Sequence, residues 1–281
     1  MEQAKRAMVY DTRLQIEACF FSGLMQPFPT HFHEYYVIGL VERGQRALTC
    51  RNRDYTIGAG DILLFLPGDS HGCAQTDGGT LEYRSIHVKP EVMLALAAEC
   101  TGQQALPAFP DSVIRDGEAA GYLRDLHELV MTEGPVLCRE ERWRLLVSLL
   151  LERYGAEAPQ SAPRCRDEVA RACTFMETHL EESISLEMLC DHTGLSKSTL
   201  LRAFVREKGV TPYRYLENIR VGEAKKLLAQ GVPPVEAALR TGFSDQSHFT
   251  GFFSRFIGLP PGAYRGIFSE QRETEENSHG A

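Results

Sequence analysis

The chain has 281 residues, of which 43% are hydrophobic and 24% charged, and its formal net charge at pH 7 is −8. Its length allows two ordinary domains, and its composition is typical of a soluble globular protein. No apolar run approaches the ~20 residues that span a bilayer, and no signal-peptide core follows the first residues, so we expect a cytoplasmic protein with no membrane partner. The eight cysteines are scattered without a Cys-x-x-Cys pair, which argues against disulfides and a cysteine zinc site.

Short strands are predicted between about residues 8 and 90. Residues 35–41 are rich in β-branched and aromatic side chains, residues 42–45 form a turn, and residues 46–50 return as a second strand. Gly and Pro turns enclose an apolar strand at 62–66, and residues 82–88 form another. Many short strands separated by such turns indicate a β-barrel or jelly roll.

Helical periodicity begins at residue 91, and two longer helices are predicted over residues 119–131 and 139–154. The second has a broad apolar face, made of Trp143, Leu146, Val147 and Leu150 and widened by Leu145 and Leu149. This is more apolar surface than one isolated helix needs. Packing on the barrel and dimerisation through residues 119–154 both account for it, and the sequence does not choose between them.

The chain divides by composition into two domains. Residues 155–163 contain two prolines and no apolar period, as expected of a linker. They separate residues 1–154, the predicted barrel with its appended helices, from residues 164–268, which are predicted to be nearly all helical. The polar, acidic residues 269–281 are predicted to be disordered. The expected fold class is therefore α+β with two domains.

Charge is distributed unevenly along the chain. Residues 192–268 hold 11 Lys and Arg against 5 Asp and Glu, a net charge of +6, and the remainder of the chain carries −14. A basic segment joined to an acidic one indicates a nucleic-acid reader attached to a second domain.

A helix-turn-helix pattern occurs twice in the C-terminal domain. Thr-Gly-x-Ser at residues 193–196 returns at 241–244, an offset of 48 residues, and later marks such as Phe204 return at Phe253, an offset of 49. Because glycine tolerates the positive φ of a tight turn, Gly194 and Gly242 are suited to join two helices. Each motif can place one helix in a DNA major groove.

N-cap residues, prolines and glycines predict where the helices of the two motifs begin and end. They span residues 186–192 and 197–208 in the first motif and 235–240 and 245–256 in the second, with a connecting helix that begins at Thr211-Pro212 and stops at Gly231. Ser196 and Ser244 are the predicted N-caps of the second helix of each motif.

The second helix of each motif carries the candidate DNA contacts. Leu200 and Phe204 define a core-facing side, so the remaining side chains suit base edges and phosphates. The candidates are Lys197, Ser198, Thr199, Leu201, Arg202 and Arg206 in the first motif and Gln246, Ser247, His248, Thr250 and Arg255 in the second. Arg206 and Arg255 fit phosphate or water contacts better than base contacts, and His248 is equally consistent with no contact.

Residues 165–268 resemble the DNA-binding domain of AraC/XylS-type bacterial transcription regulators. The resemblance rests on Gly194-Leu195-Ser196, Arg202-Ala203-Phe204, Gly209-Val210-Thr211-Pro212, Gly242-Phe243-Ser244-Asp245-Gln246-Ser247-His248-Phe249 and Gly258-Leu259-Pro260-Pro261. In that family two recognition helices enter adjacent major-groove segments on one face of the DNA. This implies base contacts by Ser198, Leu201 and Arg202 and by Gln246, Ser247, His248 and Thr250. Gly251 stands where the family's second helix often carries Arg, which implies that the second motif makes fewer base contacts and relies more on phosphate contacts.

The N-terminal histidines resemble those of a cupin barrel. They occur as His31-Phe32-His33, as His71 after Pro67-Gly68-Asp69-Ser70, and as His87. A cupin metal site also needs a glutamate a few residues after the second histidine, and position 37 is Val, while Glu34 points to the opposite face. We therefore expect no metal and no cofactor, and instead a ligand pocket lined by His31, His33, Tyr35, His71 and His87. A structural role for these residues and a metal site both stay open as alternatives.

Together these patterns predict a ligand-responsive DNA-binding transcription regulator and not an enzyme. The expected partners are double-stranded DNA, a small-molecule effector, a second copy of the chain and RNA polymerase. One alternative is a metal-dependent cupin enzyme fused to a DNA-binding module. Another is a regulator without an effector, controlled by a partner protein, in which the barrel is only a scaffold. The identity of the effector, the operator and the sign of regulation do not follow from the sequence.

Overall fold

A computed structural model of the chain describes residues 5–102, 104–156, 165–243 and 245–268, without the side chain of Ser198. The chain divides into two compact units, Met1–Gln160 and Ser161–Ala281. Most of the predicted linker and all of the predicted disordered tail lie outside the described residues. Among the described residues, no helix is long and apolar enough to cross a membrane.

Unit 1 contains two antiparallel sheets. Their strands are β1 (Lys5–Asp11), β2 (Ile16–Leu24), β3 (Phe28–His31), β4 (Tyr36–Arg43), β5 (Arg46–Cys50), β6 (Arg53–Ile57), β7 (Ile62–Phe65), β8 (His71–Gln75), β9 (Leu81–Val88) and β10 (Val113–Ile114). The larger sheet has the order β1-β2-β9-β4-β7-β10 and the smaller one β3-β8-β5-β6. Phe65 of the larger sheet stacks on His71 of the smaller, with ring centroids 4.0 Å apart, so the two inner faces meet. We call the two facing sheets the barrel.

Side-chain alternation divides the larger sheet into an inner and an outer face. On β2, Ile16 and Ala18 join the hydrophobic core under the helices, while Glu17 and Cys19 point to the barrel interior beside His87. On β9, Ile86 and Val88 belong to the same outer core. The polar side chains of these strands therefore lie on the face that lines the barrel interior, where they can form a site.

Three helices cover the outer face of the larger sheet. They are α1 (Pro90–Thr101), α2 (Gly117–Met131) and α3 (Val136–Tyr154). α2 begins two residues earlier than predicted, because the Asp116 carboxylate accepts hydrogen bonds from the backbone N–H groups of Glu118 and Ala119. Trp143 is 3% exposed in this core, and Leu149 is also buried, but Leu145 remains 37% exposed. The apolar face of α3 is thus largely used within unit 1.

Unit 2 is helical in its described residues. Its helices are α4 (Arg166–Thr178), α5 (Leu186–Thr193), α6 (Lys197–Lys208), α7 (Pro212–Ala229), α8 (Pro234–Arg240) and α9 (Gln246–Ile257), followed by a helical segment over residues 261–268. α7 packs against α4, α6, α8 and α9. The long connecting helix therefore holds both helix-turn-helix motifs.

The predicted N-cap of the second recognition helix is wrong by one residue. Asp245 caps α9, because the Asp245 carboxylate accepts a hydrogen bond of 2.6 Å from the backbone N–H of His248, whereas the predicted cap, Ser244, lies outside the described residues. A carboxylate is favoured at this position because it also interacts with the positive end of the helix dipole. The two caps, Ser196 and Asp245, are 49 residues apart, so the residue inserted into the second motif lies between its turn glycine and its cap.

Candidate functional site: two helix-turn-helix motifs and a histidine cluster

The first helix-turn-helix motif is α5, a tight turn and α6. Gly194 adopts a left-handed conformation with φ of 76° and ends α5. The buried Thr193 hydroxyl donates to the Leu189 carbonyl at 2.8 Å, and Arg171 of α4 donates to the Thr193 carbonyl at 2.8 Å. These bonds satisfy the C-terminal carbonyls of α5 and fix the turn from which α6 departs.

α6 exposes four of its six predicted DNA contacts to solvent. Leu200 and Phe204 are fully buried. The exposed candidates are Lys197, Leu201, Arg202 and Arg206. Thr199 is half-buried, and its hydroxyl lies 2.9 Å from the Ser196 hydroxyl at the N-cap, so it takes part in capping. Nothing is described for the side chain of Ser198.

The second motif repeats this arrangement. The Thr241 hydroxyl donates to the Ala237 carbonyl at 2.7 Å, and Gly242 has φ of 72°. On α9, Phe249 and Phe253 are fully buried. The candidates Gln246, Ser247, His248 and Arg255 are exposed and Thr250 is half-exposed. Among the described side chains, all the candidates of the two motifs except the half-buried Thr199 and Thr250 are therefore exposed to solvent.

The ring of His248 lies against aromatic side chains, which the sequence did not predict. Its centroid is 5.7 Å from that of Phe243 and 5.6 Å from that of Phe252. The exposed imidazole is thus held at the start of α9 by the core beneath it. This packing restricts the orientation of the imidazole.

Arg220 of α7 ties the two motifs together, a role that sequence reasoning missed. Its Nε donates to the Leu180 carbonyl at 2.7 Å, and its terminal nitrogen donates to the Glu182 carbonyl at 2.7 Å, both in the loop before α5. The same guanidinium lies beside Gly242 in the turn of the second motif. Burial lowers the pKa of Arg220, since its charged form has lost part of its hydration. The Arg220 side chain therefore links the loop before the first motif, the connecting helix α7 and the turn of the second motif.

The two recognition helices differ in charge. α6 carries Lys197, Arg202, Arg206 and Lys208 with one acidic residue, Glu207, which pairs with Arg206. α9 carries one cation, Arg255, and begins at an anionic cap, Asp245. Because phosphate contacts need Lys and Arg, α6 is the more suitable of the two for electrostatic binding to DNA.

The five predicted ligand-binding residues, four histidines and Tyr35, meet in the barrel as one cluster of rings. His31 lies 4.7 Å from His33 and 4.4 Å from His71 between ring centroids. Tyr35 stacks on both His33 and His87, with ring centroids 4.7 and 5.0 Å away. We call these residues the histidine cluster. All five predicted side chains are therefore brought together, although they come from four separate segments of the chain.

Backbone carbonyls anchor two of the histidines. Nδ1 of His31 donates to the Pro29 carbonyl at 2.7 Å, and Nδ1 of His71 donates to the Asp69 carbonyl at 2.9 Å. Burial lowers the pKa of His31 to about 4. Burial, reinforced by the neighbouring His31, lowers the pKa of His71 well below its usual value. Both imidazoles are therefore neutral at physiological pH, with their protons on Nδ1.

Glu17, Cys19 and Ser85 complete the surroundings of His87, and the sequence analysis did not single them out. Nδ1 of His87 lies 3.4 Å from Glu17 Oε2 and 3.6 Å from Cys19 Sγ, and Nε2 lies 3.1 Å from Ser85 Oγ. The signal that could have found them is alternation, since Ile16 and Ala18 mark the opposite face of the same strand.

A fully buried arginine also faces the barrel interior from β5. Arg46 donates to the backbone carbonyls of Gln45, Leu24 and Gly79, at 2.7, 2.6 and 3.3 Å. It lies on the inward side of its strand, which alternates between buried and exposed residues. Its bonds connect three chain segments, which indicates a structural role at one end of the barrel.

Two family models match this chain in the regions just described. The AraC-like ligand binding domain matches residues 16–158, and a helix-turn-helix domain matches residues 189–267.

The chain belongs to the AraC family of transcription regulators. It is 46% identical over 249 residues to an uncharacterised HTH-type transcriptional regulator, YbfI, of Bacillus subtilis, covering 88% of this chain and 90% of the relative. It is 28% identical to the HTH-type transcriptional activator RhaS of Klebsiella pneumoniae, covering 83% and 86%. AraC-family membership makes the chain a ligand-responsive DNA-binding regulator, and the alternative of a cupin enzyme gains no support from these relatives.

Solved structures share the two-domain fold. An apo variant of ToxT from Vibrio cholerae aligns with a TM-score of 0.57 at 14% identity, covering 92% of this chain and 99% of that one. ToxT bound to an unsaturated fatty acid aligns with a TM-score of 0.55 at 13% identity, covering 95% and 98%. These likenesses confirm the α+β architecture with an N-terminal sheet-rich domain and a C-terminal helix-turn-helix domain.

Proposed function

We propose that this AraC-family regulator reads two adjacent major-groove segments with α6 and α9. The observation that carries the proposal is that both helices are capped, expose their N-terminal turns and pack on the same helix, α7. The first motif supplies most of the cationic and base-directed contacts through Lys197, Arg202 and Arg206. The second contributes Gln246, Ser247 and His248, which are neutral hydrogen-bonding groups.

The effector is a small molecule bound in the barrel against the histidine cluster. Supporting this, His31, His33, Tyr35, His71 and His87 converge on the interior face from separate segments. Neutral imidazoles and a phenol can donate and accept hydrogen bonds, and the surrounding apolar side chains, such as Phe65, provide the walls of such a site. Effector binding shifts the DNA-reading unit by favouring one arrangement of the chain over another.

The regulator acts as a homodimer that contacts RNA polymerase in the cytoplasm. The dimerisation surface lies on unit 1, where Val136, Leu137 and Leu145 of α3 are 45, 74 and 37% exposed. Exposed apolar side chains on one helix favour burial against a second copy. The sensing and dimerisation domain comprises residues 1–154, joined through a linker at 155–163 to the DNA-binding domain at 164–268. Sedimentation of the full chain, wild type and Leu137→Glu, tests the dimer.

A binding selection with the full chain tests DNA reading. We expect an enriched site with two conserved blocks about 10 base pairs apart, one for each recognition helix. Arg202→Ala should relax one base position in a single block. Lys226→Ala is a matched control, because Lys226 is an exposed cation of α7 that pairs with Glu223 at 3.1 Å. A selection that enriches no sequence, or one unchanged by Arg202→Ala, contradicts the proposal. Repeating the binding measurement with candidate effectors tests ligand response, which should appear as a change in operator affinity.

A further inference from the structure

The barrel interior contains three histidines whose possible ligand nitrogens lie close together. The ring nitrogens that His31, His33 and His71 can offer lie within 4.8 Å of one another. They come from the end of β3, the segment after it and the start of β8. Three imidazoles brought together from separate segments satisfy the first requirement of a transition-metal site, which is a set of convergent nitrogen ligands.

The second requirement is that each ligand imidazole keeps one ring nitrogen with a lone pair and no proton. A carbonyl oxygen can only accept a hydrogen bond, so the contacts of Nδ1 with Pro29 and Asp69 place the protons of His31 and His71 on Nδ1. The lone pair of each neutral ring is then on Nε2. Metal-binding histidines in proteins are commonly oriented in this way, with the distal nitrogen donating to a carbonyl or carboxylate.

We propose that His31, His33 and His71 bind one divalent first-row transition metal ion, such as Zn²⁺. The sequence predicts no metal, because Val37 occupies the position of the carboxylate ligand in a cupin metal site. Three histidines are sufficient without it, since sites with three imidazole ligands hold zinc and keep a coordination position for another ligand. Negative charge is also close by, because Glu17 contacts His87, whose ring lies 6.2 Å from that of His33.

The metal identifies the chemical class of effector. An open coordination position accepts an oxygen or nitrogen donor, so an effector with a carboxylate or paired hydroxyl groups would be held by the ion. This second step rests on the proposed function, whereas metal binding by the three histidines does not.

A second cluster in the same barrel provides the competing site. Glu17, Cys19 and His87 also offer ligand atoms within 4.8 Å of one another. The hydrogen-bonded contacts of His87 with Glu17 and Ser85 already account for that arrangement. A thiolate ligand gives a near-ultraviolet charge-transfer band with Co²⁺ that imidazoles do not, so the two sites can be told apart.

The test is titration of the purified, chelator-treated full chain with Zn²⁺ in competition with a chromophoric chelator, and with Co²⁺ in an absorption spectrometer. We expect one ion per chain, visible Co²⁺ bands without a thiolate band, and a thermal midpoint raised by Zn²⁺. The only tryptophan, Trp143, lies in the core of unit 1 and reports that midpoint by fluorescence. His33→Ala should weaken affinity by at least about 100-fold, because even loss of an outer-shell partner costs about 10–100-fold.

Three variants control the result. His33 is only half-buried, so its replacement leaves more of the fold intact than replacement of His31 or His71, and the Trp143 melt without metal verifies folding. His192→Ala, at an exposed histidine in unit 2, and Cys19→Ser should bind as wild type does. The proposal is overturned if the wild type binds no stoichiometric metal at micromolar concentration, if His33→Ala binds equally well, or if Cys19→Ser alone abolishes binding. DNA binding by a chain that takes up no metal would overturn this site and leave the proposed function standing.

Discussion

The two helix-turn-helix motifs share one framework and differ in the surfaces built on it. Both use a buried threonine to bond a carbonyl of their first helix, a left-handed turn glycine and a side-chain cap on the second helix. The first helix surface is cationic, while the second is neutral and begins at Asp245. Packing within unit 2 therefore sets the framework, whereas the recognition surfaces built on it differ between the two motifs.

The largest contrast should come from the two turn glycines. A methyl group at Gly242 would lie 2.7 Å from the Leu180 carbonyl oxygen and 2.8 Å from an Arg220 nitrogen, whereas at Gly194 it would meet no atom within 4 Å. Both positions have positive φ, so Gly194→Ala should cost about 1 kcal/mol of unfolding free energy from backbone strain alone. Gly242→Ala should cost about 3 kcal/mol or more, since overpacking adds to the strain.

Hydrogen exchange of α8 and α9 in the full chain measures this contrast. The unfolding of unit 1 is an internal control and should not change. It is followed by the fluorescence of Trp143, which lies in that unit. Equal losses for the two alanine variants would show that the second turn is not packed as described.

Breaking the link between the motifs should have the next largest effect. Arg220→Met removes two charged hydrogen bonds to the carbonyls of Leu180 and Glu182, and should lower the stability of unit 2 by about 2–3 kcal/mol. Lys226→Met, an exposed position on the same helix, should be nearly neutral. Chemical denaturation followed by circular dichroism measures both. Should the Arg220 variant be as stable as the control, the two motifs are not joined through this side chain.

The sequence predicted much of this framework, and the differences between prediction and structure have local causes. α6 has the predicted bounds, because Ser196, the Leu200–Phe204 spacing and Gly209 agree with one another. The cap of α9 was misplaced because the repeated Thr-Gly-x-Ser pattern aligned Ser244 with Ser196, although a carboxylate one residue later is the better acceptor. Arg220 could not be assigned from periodicity, since its partners are carbonyls 38 and 40 residues earlier in the chain.

The barrel shows the same limit. The histidines were selected from local motifs and meet as expected of a shared inner face. The sequence did not identify Glu17 and Cys19, because their contacts with His87 depend on the pairing of β2 with β9. This pairing places Glu17 directly opposite His87. Alternation within residues 16–24 indicates that Glu17 and Cys19 share a face, but it does not indicate their partner strand, because strand register is a long-range property.

The surface contrast predicts unequal losses of DNA affinity. Arg202→Ala should weaken specific binding by about 1–3 kcal/mol and relax one base position, because a bidentate base contact is lost. The reciprocal change, Gly251→Arg, places an arginine at the corresponding position of α9, where a Cβ meets no atom within 4 Å. It should tighten binding to sites that carry guanine opposite that position. Fluorescence anisotropy with matched operator variants measures both, and an Arg202 variant with unaltered base preference contradicts the assignment.

The smallest expected effect concerns the caps. Asp245→Asn keeps an efficient N-cap but removes a negative charge near the DNA phosphates, and should strengthen binding by about 0.5 kcal/mol at low salt. Ser196→Asp, the matched change in the first motif, should weaken binding by a similar amount. Both effects should diminish at high salt, and their persistence there would indicate that the caps act through helix stability instead.

The central claim is that α6 and α9 read adjacent grooves from one frame. Hydroxyl-radical and base-modification footprinting of the full chain on a selected site tests it most directly. We expect two protected major-groove blocks about 10 base pairs apart on one DNA face, with Arg202→Ala weakening only one block and Gln246→Ala only the other. A single block, or one in which both variants alter the same bases, would contradict it.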